Sequence, residues 1–312
     1  MKSKKLIIAA FFGLLGLNLS AQSYLQPTMD EMTFYTQEWK GERFPDGRPK
    51  VSDDLINRAL SLSLEEIWGQ LRNKGYNNQY ADGWETLNEI EFSGRAVTVQ
   101  YMPNRNEFAK RLQERGIAEG RTKSGGTNSW PIDLLQKGDI YVADGFGKIE
   151  NGTLIGDILG NTIFAKTGKG VVFEGSARDS EGLREIEGFN SYARGYHPSY
   201  IMEMMMTAIN RPIRIGPAIV FPGDVVVAKK QGIAFIPAHL VEDVVTNGEY
   251  TALRDDFGHA MVINGTYTAG QIDSGWSEEI RNHFVKWLSE NPGKVKMTRE
   301  QLDKFLNRGR SF

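Results

Sequence analysis

The sequence predicts an α/β fold with partly parallel strand pairing, and three observations carry that expectation. Short β-branched runs alternate with helical segments between residues 138 and 194, the order in which strand–helix–strand units are built. Of the 312 residues, 40% are hydrophobic and 24% charged with a net charge of −2, which suits a sizeable core and excludes a disordered chain. Glycine, at 34 residues, exceeds the roughly 7% usual in proteins and indicates many tight turns and close backbone approaches.

The elements follow in chain order. Residues 1–21 combine the basic start Lys2, Lys4 and Lys5, an apolar stretch from Leu6 to Leu17, and a small residue at Ala21. That is the three-part pattern of a secretory signal peptide cleaved after Ala21, and the apolar stretch falls short of the roughly 20 residues a membrane span needs. The expectation is an exported protein, periplasmic or extracellular, with no membrane anchor after cleavage. Residues 22–50, polar and aromatic with Pro45 and Pro49, read as an irregular arm. Ser52 then caps a helix through Leu55, Ile56, Ala59 and Leu60, and a second helix over 63–73 places Leu64, Ile67, Trp68 and Leu71 on one face before Gly75. Ala96 to Tyr101 is a strand after Gly94.

From there strands are expected at 138–145, 170–174 and 189–194, with helices at 156–166 and 180–185 between them. One echo stands out: Gly138-Asp139 and Gly223-Asp224 each open a β-branched run, as two similar strands entering one sheet from equivalent turns would. Aspartate caps turns well, so the structural reading of both is preferred. Near the end, Trp276, Ile280, Phe284, Trp287 and Leu288 form one helical stripe, Pro292-Gly293 breaks it, and Thr298 with Gln301 starts a last helix through Leu302, Phe305 and Leu306. These read as packing helices. Met202, Met204, Met205 and Met206 read as packing residues too, and His197 as a local hydrogen-bonding residue.

Composition narrows the chemistry. With no cysteine there is no disulfide, thiolate nucleophile or cysteine-ligated metal, and the four histidines (His197, His239, His259, His283) argue against a multi-histidine metal site. The near-neutral charge argues against a nucleic-acid partner. What remains is a set of oxygen ligands and arginines. Gly156-Asp157 opens a helix whose exposed N–H groups, Ile158 and Leu159 among them, form an anion site with the helix dipole. A helix and a buried strand later come Arg178 and Asp179, preceded by the small residues Gly175-Ser176-Ala177, and a hairpin of that length returns its ends to one sheet edge. Arg178 offers a fork for a carboxylate or keto oxygen, and two carboxylates without histidine select Mg²⁺ or Mn²⁺ held largely through waters. The same residues also read as an N-cap and a structural ion pair.

Taken together, KGDIYVADG, GDILGNTIFAKTGKGVVFEGSARD with its Asp157-x20-Arg178-Asp179 spacing, FNSYARGYHPSY and PGDVVVAKKQGIAFIP form an ordered set of motifs. With Ser52–Leu55 and Gly94–Val99 upstream, the stretch resembles the family of the regulator of ribonuclease E activity A and the 4-hydroxy-4-methyl-2-oxoglutarate aldolases over roughly residues 50–250. The resemblance implies an αββα sandwich with a swivelling-domain-like β core, a domain over 51–250 followed by a C-terminal helical extension over 251–312, and assembly as a homotrimer or homohexamer with sites at subunit clefts. It implies that Asp157 assists proton transfer together with a metal-bound water, that Arg178 contacts a pyruvate-like enolate, and that Asp179 holds Mg²⁺ or Mn²⁺ through its solvation shell. Backbone amides of Gly156, Ile158 and Leu159 are implied to grip the keto acid. Relatives often carry an acidic pair where this chain has Lys229-Lys230, and a neighbouring subunit commonly lends an acidic residue to the metal; Glu242, Asp243 and Glu249 are candidates.

The expected function is therefore an exported, metal-dependent aldolase that cleaves 4-hydroxy-2-oxo acids to pyruvate, with oxaloacetate decarboxylation as a related activity. The alternative is a non-catalytic binding or regulatory oligomer like the ribonuclease regulator.

Overall fold

A computed structural model of the chain describes residues 23–308, so the signal peptide expected at 1–21 lies outside the described residues. The arm expected to be irregular contains a helix, α1 (Met29–Tyr35). Its cause is legible in Thr28-x-x-Glu31, a capping box in which the Glu31 N–H donates to Thr28 Oγ1 at 3.2 Å and the Thr28 N–H to Glu31 Oε2 at 2.9 Å. Helices α2 (Asp53–Leu60) and α3 (Leu64–Asn73) start at the caps Ser52 and Ser63, and Gly75 ends α3 at φ +86°.

After the short strands β1 (Tyr80–Ala81) and β2 (Glu85–Thr86) comes β3 (Phe92–Pro103), twice as long as expected because it pairs with three partners. Helices α4 (Asn106–Ala118) and α5 (Trp130–Leu134) lead to β4 (Asp139–Asp144), α6 (Asp157–Thr167), β5 (Val171–Ala177), α7 (Ser180–Arg184) and β6 (Ser191–Tyr196). The last of these starts two residues later than its sequence signal. Strands β7 (Met204–Ile209), β8 (Ile213–Ile215), β9 (Ala218–Val220), β10 (Val225–Lys229) and β11 (Gly232–Ile236) follow. The main sheet runs β1-β11-β10-β3-β4-β5-β6-β2. Within it β3, β4, β5 and β6 are parallel, joined by helical crossovers, whereas β10 and β7 lie antiparallel along successive halves of β3.

The period of two along these strands sorts the side chains. Val97, Val99, Tyr101, Tyr141 and Phe173 face Leu112, Trp130, Ile163 and Leu183 of the crossover helices. Ala96, Ile140, Val142 and Val172 face the other way, onto the β8–β9 ribbon. Met204, Met205 and Met206 pack as expected, but Met202 is 64% exposed because it precedes the strand.

The two Gly-Asp turns meet on one strand. Arg95 of β3 pairs with Asp139 on one side and with Val225 on the other. Both glycines have positive φ, +82° at Gly138 and +86° at Gly223. Each aspartate caps its own turn: Asp139 Oδ2 accepts the Gln136 N–H at 2.9 Å and Asp224 Oδ2 the Phe221 N–H at 2.8 Å. Their charges are treated differently. Arg48, which no sequence signal placed indoors, is fully buried and clasps Asp139 with both Nη atoms at 3.0 and 3.1 Å. Asp224, also buried, has its carboxyl pushed up to about 7 by desolvation.

That shift has a sign. An aspartate titrates near 3.9 when unfolded, so the folded chain holds this proton more tightly and the group's contribution to stability falls as pH rises from about 4 to 7. Urea unfolding across that interval is expected to show a slope from this group approaching 1.4 kcal/mol per pH unit, absent in Asp224→Asn. Identical pH dependence in the two proteins would place the ionised form in the native state.

Helix α8 (Val241–Ile263) runs straight through the division expected at 250/251, with α9 (Ala269–Ile272), α10 (Glu278–Glu290) and α11 (Arg299–Arg308) beyond it. Its first half packs on α2, α3, β10 and β11; its second half carries Leu253, Phe257 and Met261 into a separate cluster with Trp276, Ile280, Phe284, Trp287 and Leu288. The extension is thus continuous with the domain through one helix. Among the described residues no helix is long and apolar enough to cross a membrane.

Candidate functional site

Gly156 caps α6 in extended conformation, and Asp157 is the first helical residue. The chain then crosses α6 and β5 and turns at Asp179, which has a left-handed backbone at φ +54°. Aspartate tolerates that conformation better than most side chains, and here it swings the strand into α7. The turn brings Arg178 and Asp179 back to the mouth of α6. A Cβ placed on Gly156 would overlap Asp179 Oδ2 and lie 3.2 Å from Arg178 Cζ. Asp157 lies against α7 from the other side, since a Cβ on Gly182 would come within 2.9 Å of Asp157 Cβ. The expected site residues Gly156, Asp157, Arg178 and Asp179 are therefore neighbours.

One expectation is corrected. The Ile158 N–H is not free for an anion, because Asp157 Oδ1 accepts it at 2.8 Å; the Ile158 side chain is 76% exposed. The remaining donors at the helix mouth are first-turn N–H groups such as that of Leu159. What approaches the small residues Gly175-Ser176-Ala177 closely is the loop after β4, with Ser176 Oγ donating to Ile149 O at 2.7 Å and the Leu154 N–H donating to Ser176 O at 2.8 Å; all three residues are buried.

Arg178 and Asp179 form an ion pair at 3.0 Å, with side chains 34% and 35% exposed. A pair so open to water adds little to stability and keeps both groups reachable. Arg178 Cζ stands 5.1 Å from the ring centre of Tyr200, the last residue of the FNSYARGYHPSY stretch, to which the sequence assigned no role. Tyr200 is placed by a short loop in which the His197 N–H donates to Ala177 O at 3.1 Å and the Ser199 N–H to His197 Nδ1 at 3.2 Å. His197 is the local hydrogen-bonding residue it was expected to be.

Among the described residues, no three His, Asp or Glu side chains are grouped to hold a metal. The donor chemistry fits a water-rich Mg²⁺ or Mn²⁺ site all the same, since such ions bind through one or two carboxylates and keep several waters. Asp179, and Asp157 beside it, could supply them. The acidic residues expected to help from a neighbouring copy are engaged within the chain: Glu249 with Arg58 at 2.7 Å, Asp243 with Lys74 at 2.7 Å, and Glu242 with Gln301 at 3.1 Å. Lys229 and Lys230 pair with Glu91 at 3.1 Å and Glu89 at 3.2 Å.

Comparison with known proteins places these residues in a shared framework. The family model described as "RraA-like: Aldolase/RraA" matches residues 49–235, which include Gly156, Asp157, Arg178, Asp179 and Tyr200. Protein DlpA of Legionella pneumophila is 26% identical over 214 residues, 68% of this chain and 32% of that protein, so the chain spans about a third of that curated relative. Streptomyces coelicolor RraAS2, described as an unusual member of the RNase ES inhibitor RraA protein family, superposes with a TM-score of 0.58 at 24% identity, covering 68% of this chain and 99% of that one. An uncharacterized protein from Pseudomonas syringae pv. tomato gives a TM-score of 0.58 at 20% identity over 75% of this chain and 96% of its own. At these identities the structural likeness is one of fold.

Proposed function

Because the chain belongs to the RraA-like family, we propose that it is a divalent-metal-dependent lyase that cleaves 4-hydroxy-2-oxo acids to release pyruvate. The observation that carries this reading is the packing of Gly156 against both Arg178 and Asp179, which joins an anion-binding helix mouth, a guanidinium fork and a carboxylate in one place.

Arg178 takes the carboxylate and keto oxygen of the substrate, its fork matching two oxygens in one plane. First-turn N–H groups of α6 hold the second oxygen, favoured by the positive end of the helix. Asp157, whose Oδ1 is fixed on the Ile158 N–H, keeps Oδ2 to take the C4 hydroxyl proton as C4 becomes a carbonyl and the C3–C4 bond breaks, and to return that proton to C3 of the enolate, giving pyruvate. Asp179 and its waters would hold Mg²⁺ or Mn²⁺, which would supply positive charge beside the keto oxygen. The same residues suit decarboxylation of oxaloacetate, which passes through the same enolate. Export and assembly into trimers or hexamers, with a neighbouring copy completing the cleft, belong to this proposal.

The assay is pyruvate release from a panel of 4-hydroxy-2-oxo acids with and without Mg²⁺. Inactivity across the panel together with no divalent-ion binding would sink the idea. Gly156→Ala tests the geometry: its φ of −119° suits any residue, so the fold should hold, while the added methyl pushes Asp179 off its position. Turnover is expected to fall about tenfold to a hundredfold, as displacement by a fraction of an ångström does elsewhere. Unchanged kcat with an unchanged melting temperature would mean that Asp179 does not act where it stands. A second reading, a non-catalytic regulatory oligomer, is favoured by the mutual pairing of Arg178 with Asp179. It predicts a stable assembly without keto-acid turnover.

A further inference from the structure

The two Gly-Asp turns differ in one respect, the partner of the aspartate. Asp139 receives Arg48, whereas among the described residues Asp224 accepts backbone N–H groups alone, from Phe221 at 2.8 Å on Oδ2 and from Ala238 at 3.3 Å on Oδ1. The arm explains the difference. It passes between the turns, sending Arg48 to the first and laying Pro49 on the second, where a Cβ on Gly223 would meet Pro49 Cδ at 2.7 Å. Proline brings no charge. Asp224 is 5% exposed, and a carboxylate so buried is costly unless a proton or a cation joins it.

What borders Asp224 is a cavity of about 350 Å³, of the size that small ligands fill. Tyr35 and Trp39 of the arm, with Tyr76, Phe221 and His239, form its walls. The rings brace one another in pairs: Tyr35 on Phe221 edge to face at 6.4 Å, and Tyr76 on His239 at 6.2 Å with the hydroxyl 3.3 Å from Nε2. Glu38 also lines it and is exposed, and no lysine or arginine lines it among the described residues. Ring faces attract positive charge, and a buried carboxylate at the wall completes a cation's surroundings.

We propose that this cavity binds a small alkylguanidinium compound, its fork on Asp224 as Arg48 sits on Asp139 and its alkyl body among Tyr35, Trp39 and Tyr76. Each Asp224 oxygen retains acceptor capacity beyond its one N–H bond, so both can take a guanidinium nitrogen. A planar fork meets both oxygens at once, which a single ammonium cannot. The cavity shares no residue with Gly156–Leu159, Arg178 or Asp179, so the assignment is independent of the lyase reading.

The test is calorimetric titration of the purified chain at about pH 8 with n-butylguanidinium and with its neutral isostere n-butylurea. Saturable one-to-one binding of the guanidinium is expected, with n-butylurea at least about tenfold weaker. Asp224→Asn should remove that preference, and Trp39→Ala should weaken both compounds. No saturation at millimolar guanidinium, equal affinity for the two compounds, or wild-type preference in Asp224→Asn would each overturn the proposal. Should Asp224→Asn not fold, the two compounds compared on the unaltered chain decide it alone.

Discussion

Arg178→Ala is expected to lower pyruvate release by about two to three orders of magnitude while leaving the melting temperature within a degree or two of the parent. The guanidinium is one-third exposed, bonded to Asp179 at 3.0 Å and stacked near Tyr200 at 5.1 Å, so its removal leaves no cavity in a core. An exposed ion pair of this kind contributes about 0–1 kcal/mol. Catalysis loses far more, because the fork stands where negative charge grows as the C–C bond opens, and removing one such donor costs roughly a hundredfold to a thousandfold. The loss should fall on kcat as well as on KM. Arg178→Lys keeps the charge but loses the planar fork and the stacking on Tyr200, and is expected to recover only a small part. Wild-type turnover in Arg178→Ala would place the keto-acid anchor elsewhere.

Arg48→Met is expected to destabilise the protein by about 3–5 kcal/mol, a large fraction of the stability of a typical domain. Arg48 and Asp139 have no exposed side-chain surface, and their bidentate bond joins the arm to the start of β4 across 91 residues of sequence. Deleting the guanidinium strands the Asp139 carboxylate indoors; Asp46 of the arm loses its 2.7 Å bond to Arg48 Nε as well. Changing both partners, as in Arg48→Met with Asp139→Asn, removes the stranded charge and should recover a good part of the loss. Chemical unfolding of the parent and the two variants checks this. A cost below about 1 kcal/mol for Arg48→Met would mean that water reaches the pair.

The parts of the fold that were legible are those written in local chemistry. Ser52, Ser63 and Gly75 mark helix ends because caps satisfy backbone groups within three or four residues. The β-branched runs at 139–144 and 171–177 mark strands because their side chains must be buried on both faces. Helix α1 carried its capping box in plain view, at Thr28 and Glu31, and a polar, aromatic composition masked it. The candidate site was legible for a related reason: Asp157 and the Arg178-Asp179 pair are joined by one helix and one strand, a unit whose length returns its ends to one edge.

Long-range neutralisation was not legible. Arg48 in a polar arm reads as a solvated cation, and nothing near it in sequence announces Asp139; Glu249 and Arg58 stand 191 residues apart. Which loop closes over Gly175-Ser176-Ala177, and how far α8 continues past residue 250, depend on which elements pack together.

By itself, the sequence determined the class of fold, the alternation of strands and helices between residues 138 and 196, and a set of carboxylates and an arginine in a chain without cysteine. Only the tertiary structure decided which of two matching aspartates receives a buried arginine and which borders an aromatic cavity, because burial and pairing of charge are settled by neighbours that sequence distance conceals.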